Sequence, residues 1–244
     1  MKLVNLLFTH LARRRPYLVL CWCLLCICIV PALLAAKQEE TPAALTVRLM
    51  EHISVLEGYR VHMKLMVYSP EPEEQNQMLW YRRGGFVRIE QLGPYRTGAV
   101  VVVRPDLENL VEARAGGVAS IMKFSFSPDN SLVRGITGDR PTIADYQSIL
   151  AAFQEIIGQG LVTRFRLQEG DYQGSAAWRA YVEINREKAR VAFLGKEDAY
   201  EMVVLQKELR LVRLNRFLQG KLISSVEWSR FEANPSLQPG FFRL

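Results

Sequence analysis

Beyond residue 37 the chain has no cysteine at all, and only two of its three histidines, His52 and His62, lie there. Without thiols this part of the protein can hold neither a disulfide nor a thiolate zinc site. His52 falls on the polar side of an expected helix and His62 on the outward register of an expected strand, so neither is placed as a base or a pH switch. There is no Gly-x-Ser-x-Gly elbow, no glycine-rich phosphate loop and no His-Glu-x-x-His pair. The acids Glu71, Glu73 and Glu74 cluster in a proline-bearing stretch that reads as a solvated loop. Gly135-Ile136-Thr137-Gly138-Asp139 could wrap an anion, although a plain turn explains the same residues. Concentrated positive charge is missing too. Of the formal +6, four charges belong to Lys2, Arg13, Arg14 and Arg15, leaving +2 for residues 37–244. Later cations, including Arg164, Arg166, Arg210, Arg213 and Arg216, alternate with acids and apolar residues, as outward charges on half-buried strands do. Nucleic acid is therefore not an expected partner. No cofactor, metal or catalytic residue is implied, and binding is the class of function that remains.

What is present begins with an apolar run from Tyr17 to Ala36 that contains all four cysteines, Cys21, Cys23, Cys26 and Cys28. About 20 apolar residues can cross a bilayer as a helix. Three arginines precede the run, and Glu39 and Glu40 follow it, which orients the remainder outward from the cytoplasm. The basic start also fits a signal peptide, although Leu33 or Leu34 would then sit where a small residue is wanted. Residues 1–40 are expected to be a transmembrane anchor or a cleaved signal, and residues 41–244 an extracytoplasmic domain. That domain would face the periplasm, either held at the inner membrane by the N-terminal segment or soluble after cleavage.

Within the domain, Thr41 followed by Pro42 marks a helix start. Leu45, Leu49, Ile53 and Leu56 give one apolar stripe, and Gly58 is the expected stop. Alternation follows in Val61, Met63, Leu65 and Val67, the pattern of a half-buried strand. An acidic loop over Pro70–Asn76 leads to strands at Met78–Arg83 and Phe86–Leu92 around a Gly84-Gly85 turn. Further strand-like runs are Ala99–Arg104, Glu108–Arg114 and Val118–Ser127. A second helix, capped by Thr142 with Asp145, carries a broad apolar face of Ile143, Tyr146, Ile149, Leu150, Phe153, Ile156 and Ile157, and ends at Gly158. Strands resume at Leu161–Gln168, Ala176–Ile184, Tyr200–Gln206, Leu209–Phe217 and Leu222–Phe231, with Arg186–Asp198 unassigned. About eleven strands and two helices without a βαβ rhythm indicate an α+β fold. The economical arrangement is a curved antiparallel sheet, an incomplete β-barrel, with a helical lid on its concave side.

If the sheet curls around the second helix, the inward side chains are Leu65, Val67, Val87, Ile89, Phe124, Phe126, Phe165, Trp178, Val182, Val226 and Trp228, facing Ile149 and Phe153 of that helix. Such residues can simply pack a core. A curved sheet this large can also enclose an apolar cavity for an acyl chain.

Several stretches resemble the LolA-like outer-membrane lipoprotein carriers. They are Gly58-Tyr59 entering a strand, Trp80–Glu90, Tyr200–Val204, Leu209–Phe217, Gly220-Lys221-Leu222, Val226–Leu237 and Phe241–Leu244. The likeness spans Thr41 to Leu244. It implies a greasy hollow that holds lipoprotein or phospholipid acyl chains in lipoprotein sorting or lipid transport, with envelope transport proteins as further partners. It also implies a lid-latching role for Arg88. A retained anchor would depart from a free carrier and suit a membrane-bound relative, or an envelope-stress or assembly module that uses the hollow to recognise protein.

Overall fold

A computed structural model describes residues 40–68, 70–108, 110–188 and 197–244. All but Glu40 of the anchor or signal expected in residues 1–40, and most of the unassigned Arg186–Asp198 stretch, lie outside the described residues. Residues Thr41–Leu244 form one compact unit.

Helix α1 spans Pro42–Ser54 and starts as its sequence dictates. The Thr41 hydroxyl accepts from the Ala44 N–H at 3.1 Å, and proline fills the first helical position. Leu45, Leu49 and Ile53 are buried. The helix ends at Ser54, earlier than glycine alone would stop it. Arg83 completes that end by donating to the carbonyls of Ser54, Val55 and Leu56 at 3.0, 2.8 and 3.3 Å. Gly58 instead opens the first strand.

Six strands follow: β1 (Gly58–Val67), β2 (Glu73–Arg82), β3 (Phe86–Gln91), β4 (Val100–Val103), β5 (Val111–Arg114) and β6 (Lys123–Phe126). After residues 127–145 comes α2 (Tyr146–Gly158). Then β7 (Val162–Tyr172), β8 (Ser175–Ile184), β9 (Ala199–Leu205), β10 (Arg210–Leu218) and β11 (Lys221–Ala233) complete an antiparallel meander. The spatial order is β6-β5-β4-β3-β2-β1-β11-β10-β9-β8-β7. The chain thus builds outward from the middle to one edge, passes through α2 to the other edge, and returns to the middle. This curved, unclosed sheet of eleven strands with two helices is the expected incomplete barrel with its lid.

The β1–β11 seam is fixed by Asn234, whose side-chain oxygen accepts from the N–H groups of Glu57 and Gly58 at 2.8 and 3.2 Å. Beside it Tyr59 stacks on Tyr81 and Phe231, with ring centroids 5.0 and 5.6 Å apart. The main core lies between the inner sheet face and the helices. Each fully buried Leu, Ile or Phe in it contributes about 1.5–3 kcal/mol.

Three local expectations are corrected. The acidic stretch Pro70–Asn76, expected to be a loop, is strand from Glu73 onward. Its inward positions Gln75 and Gln77 are polar, which concealed the alternation. Val118–Ser127 is not one strand: residues Gly117–Ile121 form a 3-10 turn and only Lys123–Phe126 pair with β5. The second helix is capped by Asp145, not Thr142. The Asp145 carboxylate accepts from the Ser148 N–H at 3.1 Å, while Thr142 lies in a separate 3-10 turn.

Candidate functional site: a lidded hollow

The inner face of the sheet, the connection 127–145 and α2 border the hollow expected to hold a ligand. Leu65, Ile89, Ile149, Val226 and Trp228 line its remaining cavity. Val87, Phe153 and Val182 are buried in the surrounding core, with Phe126, Phe165 and Trp178 packed partly buried against it. Val67 is half-buried near the end of β1. Phe124, expected to face inward, is instead 42% exposed on the short edge strand β6. The cavity itself measures about 30 Å³, room for about two water molecules. In this closed form side chains fill the space, so a chain of methylenes enters only if the lid moves.

Arg88 does not face the lid. Val87 and Ile89 point inward, so Arg88 between them points to the other face of the sheet. There it pairs with Glu90 at 2.8 Å and donates to the Phe241 carbonyl at 2.9 Å. It fastens the C-terminal tail, whose Phe242 packs with Val100 and Val102 in a separate small core.

The groups that do hold the lid come from the inner face. Tyr59 is fully buried, and its hydroxyl accepts from the Tyr146 N–H at 2.8 Å, which pins the start of α2. Tyr81 donates to the Gln147 side chain at 2.5 Å. Burial and the nearby Asp145 carboxylate raise the Tyr59 pKa well above the ordinary phenol value. Burial likewise raises Asp145, against the hydrogen bonds that Ser148 offers its charged form.

Arg216 is the inward residue that sequence reasoning placed outward. It shares the register of Leu214, which is fully buried, and its own side chain is only 4% exposed. Its two terminal nitrogens donate to the two oxygens of Asp139, at 2.9 and 2.7 Å. Glu197 stands 4.0 Å away. Burial pulls the Arg216 pKa down, but Asp139 first, with Glu197 and Tyr200, more than offsets it and the net direction is upward. Parity with Leu214 was the available signal. Asp139 ends the Gly135–Asp139 turn, which closes through the Gly138 N–H to Gly135 carbonyl bond of 2.9 Å. The segment is a turn, and its acid is committed to the sheet.

A ladder of buried glutamines runs beside this ion pair. Gln75 donates to Gln91 at 2.8 Å, and Gln91 to Gln77 at 3.2 Å. The Ile136 N–H donates to Gln75 at 3.1 Å, tying the turn to the sheet a second time. Across the sheet the cavity lining is thus polar at Gln91 of β3 and Gln77 of β2, apolar on β1 and β11, and charged at Arg216 of β10.

An open antiparallel half-barrel closed by two helices is the class of protein that fold and site define. No protein-family model and no curated protein match the sequence. Solved structures do. An uncharacterized conserved protein from Thermus thermophilus is 12% identical with a TM-score of 0.50, over 82% of this chain and 91% of that one. The lipoprotein LppX of Mycobacterium tuberculosis is 10% identical with a TM-score of 0.50, over 82% of this chain and 99% of that one. A LolA superfamily protein from Nitrosomonas europaea matches more loosely, at 8% identity and a TM-score of 0.37, over 82% and 97%. At such identities the likeness is one of fold. The incomplete antiparallel barrel with a helical lid expected from the sequence is the fold observed.

Proposed function

We propose that this chain is a non-enzymatic lipid- or lipoprotein-binding protein of the extracytoplasmic space, which takes acyl chains between its sheet and its helical lid. The observation that carries this reading is the hollow itself, a cavity between the inner sheet face, the connection 127–145 and α2, with Leu65, Ile89, Ile149, Val226 and Trp228 in its lining. Each methylene buried there contributes about 0.8 kcal/mol. A ligand with many methylenes can therefore offset the cost of lifting the helices, which the empty protein does not do. The expected partners are acyl chains of lipoproteins or phospholipid, envelope transport proteins, and the inner membrane through residues 1–40.

A second reading, an envelope-stress or assembly module that recognises protein, is favoured by one observation. Val118, Ile121 and Met122 are 100%, 87% and 49% exposed next to the β6 edge, a run of apolar surface of the kind that marks interaction sites.

Native mass spectrometry of the protein purified from bacterial membranes separates the two. Co-purified diacyl lipid or lipoprotein is expected. An empty hollow accompanied by a defined protein partner would overturn carriage in favour of recognition.

A further inference from the structure

Among the described residues the two most exposed large apolar side chains, Val118 and Ile121, stand together on the short 3-10 turn between β5 and β6. Met122 and Phe124 continue the patch along the chain, both exposed. Two neighbouring segments extend it. Leu92 in the β3–β4 connection is 48% exposed, and Leu132 in the 127–145 connection is 60% exposed. The three segments are stitched together. A Cβ built on Gly116 would lie 1.9 Å from the Thr97 carbonyl oxygen, so the β5–β6 and β3–β4 connections touch with room for glycine alone. Arg96 donates to the carbonyls of Ser131 and Leu132, which joins the β3–β4 connection to the third segment. The patch is therefore a braced rim at one end of the sheet, where side chains that would be costly to expose singly are held out to solvent as a group.

Charge beside this rim is of one sign. Arg114 of β5 and Lys123 of β6 are cross-strand partners at the base of the turn, and like charges placed directly opposite each other on a strand pair are destabilising. Residues 113–128 contain no Asp or Glu. Among the described residues neither cation forms an ion pair. An anion from outside the protein would relieve their repulsion. Apolar side chains that project beyond a pair of cations match the layering of a bilayer surface, where hydrocarbon lies beneath phosphate. Recognition of a protein asks for no such order. The rim also leads to the hollow: Leu132 is exposed in it, and the next residue, Val133, is buried and lines the cavity.

We infer that the β5–β6 turn is a membrane-docking element. Val118, Ile121 and Met122 enter the hydrocarbon of the facing leaflet, while Arg114 and Lys123 meet the phosphates of anionic lipids at its surface. This goes beyond acyl binding in the hollow and gives the hollow a place to load, because the connection that shares the rim also walls the cavity. It competes with protein recognition by the same side chains, and one experiment decides between them.

Photoreactive benzoylphenylalanine replaces Val118 in one form of the full chain and Val55, an exposed apolar residue at the end of α1, in another. Both side chains are exposed, so neither replacement burdens the core. Each form, with whatever leader it retains, is irradiated with vesicles of phosphatidylcholine alone or with phosphatidylglycerol added, and the yield of lipid adduct is read by mass spectrometry. Comparing two positions in one chain removes any contribution of the leader. Position 118 should label lipid at least about tenfold more than position 55, the lower end for burying one large apolar side chain. Phosphatidylglycerol should raise the yield at 118 by about fivefold or more, the worth of one cation at an anionic surface, and Lys123→Gln should remove most of that rise. Equal lipid yields at the two positions, or none at either, would overturn docking. A yield at 118 indifferent to phosphatidylglycerol would overturn the part given to Arg114 and Lys123. Irradiation in bacterial envelopes that joins position 118 to a protein and not to lipid would overturn docking in favour of recognition. Acyl chains in the hollow are read separately, by native mass spectrometry of the unlabelled chain, so failure of either reading leaves the other standing.

Discussion

Glu227 on the outer face of β11 shows how single side chains set the conditions under which this sheet is stable. It accepts from the Tyr172 hydroxyl at 2.6 Å and from Arg213 at 3.1 Å, bringing together side chains from three strands. Burial pushes its pKa up, but the bonds from Tyr172 and Arg213 outweigh burial and hold it below the ordinary 4.5. Burial and the same carboxylate push the Tyr172 phenol up to about 12. A carboxyl whose folded pKa is depressed contributes stability that is present above its unfolded value and lost as pH falls through the folded one. The wild type should therefore lose its melting-temperature advantage over Glu227→Gln as pH falls below about 4.5. A gap between the two that stays constant from pH 7 to pH 3 would contradict this. The same scale shows the limits of sequence reading. Arg88 and Arg216 look alike in a charge count, and only their register relative to Val87, Ile89 and Leu214 separates a tail clamp from a lid latch.

For elements, legibility followed the hydrophobic pattern closely where one face was apolar and failed where it was not. Strands β1 and β8 emerged from alternation because their inward residues are mostly Val, Ile, Leu, Ala and Met. The first half of β2 did not, because its inward residues are glutamines that satisfy one another across strands. Val118 and Ile121 misled in the opposite direction, being apolar yet exposed. The two helices were legible from their stripes, but their ends depended on partners distant in sequence, Arg83 for α1 and Tyr59 for α2. Gly58 is another such case. A Cβ built there would lie 2.5 Å from the Tyr81 carbonyl oxygen, within the β1–β2 pair. Gly58→Ala should destabilise the domain by about 2 kcal/mol, within the range of strain at a close backbone approach, as measured by urea unfolding. A change below about 0.5 kcal/mol would show that the seam yields freely, against its tight pairing on both sides.

At the scale of the whole domain, the proposed function requires that the lid open while the sheet stays intact. Amide exchange distinguishes local from global opening. Amides of α2 and of residues 127–145 should exchange well before those of β1 and β11, which lie mid-sheet with partners on both flanks. If α2 protons exchanged only with global unfolding, the helices could not admit a ligand and lipid carriage would fail. The sequence conveyed the kind of architecture and part of the cavity's apolar lining, while Met63, Val101 and Val133 were not among the side chains expected there. It did not convey how fully side chains occupy that hollow, because volume depends on how far the sheet curls, which no periodicity encodes.

The central seam has one more consequence, for biogenesis. Tyr59 pairs with Ala233, so the first strand to leave the ribosome must wait for the last. Until residues 221–233 emerge, one flank of β1 is a raw template for the wrong neighbour, and closure across so long a separation is slow. A nascent chain of this design stays unfinished, and in need of protection, until its synthesis is nearly complete.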